Sequence, residues 1–111
     1  MLGYEDGRLR MTLGDHGVPL LLRVSRYCPK KGDGPEAKDL IRAELLQSGK
    51  RVFAREIAYG ELEAAQGIME LFLTPEEAEK LSLGLYTFRV LLLREGEVRN
   101  TLFTTTLEVV P

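Results

Sequence analysis

The sequence predicts an all-β fold: a sandwich of two antiparallel layers, about seven strands in all, with one short helix carrying the chain between layers. Three observations lead there. Short runs of alternating apolar and polar residues recur from residue 8 to the end of the chain. Outside one long loop, turn residues separate these runs at intervals of about 8–12 residues. The stretch LTPEEAEKLSLGLYTFRVLLL, residues 73–93, changes midway from a helical pattern to a strand apolar on both faces.

The elements follow in order. In residues 8–13, Leu9, Met11 and Leu13 fall on one face, the period-two mark of a half-buried strand. GDHG, residues 14–17, is a turn. Residues 18–25 form the next strand, with Leu20, Leu22 and Val24 on one face and Leu21 on the other. Pro19 has no N–H to give a ladder and belongs near the start of that strand. Residues 27–39, YCPKKGDGPEAKD, form the longest loop. Residues 40–47 suit helix or strand by propensity. Strand is preferred, because Ser48, Gly49 and Lys50 make a hairpin turn into RVFAREI. Ile41, Ala43 and Leu45 then face the core. Residues 59–66 read as a loop with helical leaning, and residues 67–73 as a strand presenting Met69, Leu71 and Leu73. Thr74 is an N-cap, Pro75 suits the first helical position, and Glu77 completes a capping box for a helix over 75–81. Residues 85–94 and 98–110 are antiparallel strands joined by a turn at Glu95, Gly96 and Glu97.

Gly84, Tyr86 and Phe88 carry the next inference. In immunoglobulin-type sandwiches a tyrosine two residues before a core cysteine of strand F locks the E–F corner through its hydroxyl. Here Phe88 holds the cysteine's place, with Leu22 as its counterpart on strand B, and the 75–81 helix is the E–F crossover. The simpler alternative is that Tyr86 is one more core aromatic on a strand. The run from Leu73 to the chain end has the pattern L-T-x-E-E-x-x-x-L, then G-x-Y-x-F-x-V-x-L, an acidic glycine turn, and a closing V-V-P. It resembles small phage and prophage virion proteins, in particular the immunoglobulin-like domain at the N-terminus of phage baseplate upper proteins. The resemblance is clear over residues 68–111 and faint over 8–24. It implies a single immunoglobulin-like domain over residues 1–111 and a structural role in a tail or baseplate. It also implies other virion proteins, or a second copy, as partners, and a place first in the bacterial cytoplasm and then in the virion tail.

Composition narrows the function. A net charge of −2 gives no basic excess for neutralising phosphates, so a nucleic-acid partner is not expected. No apolar run approaches a membrane span, and MLGYEDGRLR lacks the basic and apolar regions of a secretory signal. The single cysteine, Cys28, allows no internal disulfide. His16, the only histidine, has no ligand spacing around it, so no metal or other cofactor is expected. Cys28 would need His16 beside it to act as a nucleophile, and a loop thiol without a role is the expectation. Glu76, Glu77 and Glu79 read as dipole and solubility residues rather than an acid–base pair. Lys30 to Gly34 lacks the spacing of a phosphate loop. The chain is expected not to be an enzyme. A second reading makes it a carbohydrate- or peptide-binding module using the 26–39 loop.

One pattern departs from a sandwich with a wet outer face. If Tyr86, Phe88, Val90 and Leu92 point between the layers, Leu85, Leu91 and Leu93 point out, joined by Leu46 and Leu102. Either the crossover helix and loops cover this face, the helix through Ala78 and Leu81, or a second subunit does.

Overall fold

The computed structural model describes residues 3–5, 8–15, 20–24, 36, 38–64 and 66–111. Its strands are β1 (Gly3–Glu5), β2 (Arg8–Thr12), β3 (Leu20–Arg23), β4 (Leu40–Gln47), β5 (Lys50–Ala58), β6 (Ile68–Leu71), β7 (Gly84–Arg94) and β8 (Glu97–Val110). Helix α1 (Tyr59–Ala64) joins β5 to β6, and α2 (Pro75–Glu79) joins β6 to β7. The front sheet runs β1-β2-β8-β7-β4-β5, and the back sheet is the pair β3-β6. The molecule is therefore an all-β sandwich, and α2 is the bridge between its layers. Strand β1 and helix α1 are the elements beyond the seven strands and one helix read from the pattern.

Alternation places the core where it was expected. Leu9 and Met11 of β2, Ile41, Ala43 and Leu45 of β4, and Tyr86, Phe88, Val90 and Leu92 of β7 are buried in one cluster. Val24, Met69, Leu71 and Leu73 meet them from the back layer. Residues 40–47 form a strand, in register with both β5 and β7. A segment paired on both edges buries one face whatever its helical propensity, so pairing overrides it.

Four departures have local causes. The β4–β5 turn has two residues rather than three, because Gln47 pairs with Lys50. Ser48 and Gly49 both take positive φ, 54° and 77°, the type I′ geometry that matches strand twist. Glu95 and Gly96 repeat it at 53° and 81°. Second, residues 59–64 are helical: Leu62 is buried, and its carbonyl accepts from Gly67 N at 2.8 Å. Third, α2 ends at Glu79 instead of residue 81. Fourth, β2 and β8 pair in parallel, from Leu9 with Leu107 to Thr12 with Val110. They belong to distant parts of the chain, so no short hairpin forces them antiparallel. Every other ladder is antiparallel.

Candidate interaction surfaces

The corner forms as the spacing implied. The Tyr86 hydroxyl accepts from Ser82 N at 2.9 Å and donates to Ser82 O at 3.3 Å. Its ring is buried on the inner face of β7, so the residue is both core aromatic and corner lock. Gly84 begins β7 at φ 131°, a conformation that a side chain disfavours. Tyr86→Phe keeps the ring and removes these contacts together with the one to Ser82 Oγ at 3.4 Å. We expect a loss of about 1 kcal/mol, read as a lower urea midpoint at unchanged slope. An unchanged midpoint would show that the corner holds without the hydroxyl.

The capping box is complete. Thr74 Oγ1 accepts from Glu77 N at 3.2 Å, and Glu77 Oε1 accepts from Thr74 N at 2.9 Å. Glu77 does a second job. Both of its carboxylate oxygens receive the Arg55 guanidinium, with Nη1 to Oε2 at 2.7 Å. Arg55 lies over the rings of Phe53 and Phe72, at 4.9 and 5.5 Å. Edge strand β5 is thereby tied to the bridging helix. The guanidinium bond is the main cause lowering the Glu77 pKa, and the same bond raises that of Arg55. Glu76 and Glu79 remain exposed on the helix. Arg55 shares the inward parity of Ile57 on β5. A charge on an apolar face is a sign of a hidden partner, but nothing in sequence named Glu77.

Two buried carboxylates, Asp39 and Glu44, anchor further ion pairs across the front sheet. Asp39, fully buried just before β4, receives Arg94 at the end of β7 through Nε at 2.9 Å and Nη2 at 2.7 Å. It also accepts from Glu36 N at 2.9 Å. The Arg94 bond, opposed by burial and aided by Glu36, lowers the Asp39 pKa to about 2. On the outer face the buried Glu44 is held by Arg89, with Arg51 Nη1 at 3.7 Å.

The leucine face divides. Leu85 is 59% exposed, and Leu46 is half-buried. Leu91 and Leu93 are only 1% and 2% exposed within the single chain, so neither is available to a partner. Leu102 is the extra residue of a bulge, where Val90 pairs with Phe103 and Leu91 with Thr101. The bulge turns it away from strict alternation, and it packs against the core. Ala78 and Leu81 also join the core cluster; α2 plugs the gap between layers rather than shielding the outer face.

Two surfaces stand out instead. Leu13, Leu83 and Leu85 are 46%, 51% and 59% exposed. They lie near one end of the front sheet: Leu13 follows β2, Leu83 and Leu85 flank the start of β7, and the end of β8 runs between, since Leu13 N donates to Val110 O and Gly84 pairs with Val109. On the flank where β5 and β6 end the two sheets lies a groove of about 610 Å³, lined by Leu21, Arg55, Glu56, Ile57, Glu61, Ile68, Met69 and Glu70. His16, Cys28 and nearly all of the 26–39 loop lie outside the described residues. Among the described residues, no helix is long and apolar enough to cross a membrane, and no group of three or more His, Cys, Asp or Glu could hold a metal ion. No family model, curated protein or solved structure matches this chain.

Proposed function

We propose that the chain is a non-catalytic structural and interaction module of a phage or prophage tail or baseplate assembly. The resemblance over residues 68–111 supplies the setting. The observation that carries the interaction role is the exposed set Leu13, Leu83 and Leu85 at one end of the front sheet. Large apolar side chains left exposed near one end of a sheet are candidates for contact with other proteins. The partners are other virion proteins or a second copy of this chain.

The test has two arms. An antibody against the chain is expected to label the tails of particles made by the host bacterium; unlabelled tails would remove the virion setting. Leu85→Glu lies on an exposed position, so it should leave stability within about 0.5 kcal/mol. Covering a leucine is worth about 1.5–3 kcal/mol, so the variant should enter particles, or self-associate, about tenfold less readily. Equal incorporation and equal association would place the contact elsewhere.

A further inference from the structure

We infer that the groove between the free edges of β5 and β6 accepts an extended, basic segment of a partner polypeptide as an added strand of the back sheet. This deepens the reading of the chain as an interaction module and rests on it.

The layers are unequal. The front sheet has six strands and the back sheet two. Among the described residues β6 pairs only with β3, and β5 only with β4. Among the described residues, the backbone groups along one edge of each therefore have no ladder partner, a ready template for another chain. Residues of β5 that face between the layers confirm the gap. Ile57 pairs beside Ile41 and Arg55 beside Ala43, both core positions, yet Ile57 is only half-buried. A strand laid against β6 would sit over them.

Charge selects the occupant. Glu56, Glu61 and Glu70 line the groove; Glu56 is already held by Arg42 Nε at 2.8 Å, so Glu61 and Glu70 carry the selection, and Arg55 is the one cation among the described lining residues. Glu77 already engages Arg55 on both oxygens. Glu61 and Glu70 lie on the rim, exposed to solvent. Leu21, 60% exposed, and the half-buried Ile57 and Ile68 supply apolar contact. Main-chain bonds to β6 would give affinity, and alternating basic and apolar side chains would match the two kinds of lining. Strand β5 guards its own edge with Lys50 and Arg51 at its start; edge lysines discourage pairing with another chain. The β6 edge carries no Lys or Arg.

The probe is an octapeptide of alternating lysine and valine, with an alternating glutamate–valine octapeptide as its counterpart. Each is titrated into the full chain while backbone amide shifts are followed. The basic peptide is expected to move the amides of Ile68 to Leu71, less so at high salt, and the acidic peptide is not. The double variant Glu61→Lys, Glu70→Lys changes only exposed positions, so circular dichroism should report an unaltered fold. Its affinity for the basic peptide should fall about tenfold. Silence of the β6 amides at millimolar peptide, binding that survives charge reversal, or a groove filled by self-association at rising protein concentration would each overturn the inference. Labelled tails with a silent groove would leave the module reading standing and remove only the strand acceptor. Bound peptide with unlabelled tails would do the reverse.

Discussion

Arg94→Met is expected to destabilise the protein by about 3–5 kcal/mol at neutral pH, because it strands an ionised carboxylate in a dry site. Asp39 is fully buried and takes two hydrogen bonds from Arg94. A domain of this size has on the order of 5–15 kcal/mol in total, so the variant should be close to unfolding at 37 °C. The pH dependence gives the claim a second readout. Asp39 has a folded-state pKa lowered from 3.8 to about 2, chiefly by the Arg94 bond. Its contribution is complete above its unfolded pKa and is lost as pH falls through the folded value. That is worth roughly 2–3 kcal/mol in all, lost progressively between about pH 5 and pH 1. Glu77, also lowered, acts in the same direction. In Arg94→Met the carboxyl loses its partner, and protonating it relieves the burial. Wild type and variant should therefore differ most near neutrality and converge towards pH 2. Urea titrations across that range measure the gap; a gap that stays constant with pH would mean Arg94 stabilises through packing alone.

Phe88→Ala should cost about 3–5 kcal/mol by a different route, a cavity in the core. Phe88 is 3% exposed and meets Phe103 edge to face at 6.2 Å between ring centres. It already borders a small apolar void of about 20 Å³, shared with Leu20, Leu45, Leu71 and Leu107. Truncation would enlarge that void, and strands held in ladders on both sides can close in only partly. Phe88→Leu, which refills most of the space, should recover more than half of the loss. Calorimetric midpoints of the two variants test this, and equal midpoints would mean that the site collapses freely. The position was read as the place of an immunoglobulin core cysteine facing Leu22. Leu20, on the same strand face as Leu22, lines the void with Phe88, and both leucines pack against the core.

Where the sequence was legible, the cause is local. Alternation at Leu9 and Met11, or at Ile41, Ala43 and Leu45, follows from the two-residue repeat of a strand, and each of these side chains is buried. The Thr74–Glu77 box and the Tyr86–Ser82 corner join residues three and four apart, close enough for spacing alone to give the partner. The outer face failed as a sequence reading. Leu85 is exposed while Leu91 and Leu93 are buried, because outward parity places a side chain on a face without saying what covers it. Bulges then moved Leu102 out of the alternation.

The chain's own pattern determined an all-β sandwich, its hairpin positions and its helical bridge, since each depends on contacts a few residues long. Only the tertiary structure decided that Arg55 meets Glu77, that Asp39 meets Arg94, that β2 runs parallel to β8, and that β5 and β6 leave a groove on one flank. These depend on how strands distant in sequence order within sheets and how the layers are offset. That order is settled by long-range burial and pairing, which no short window of residues encodes.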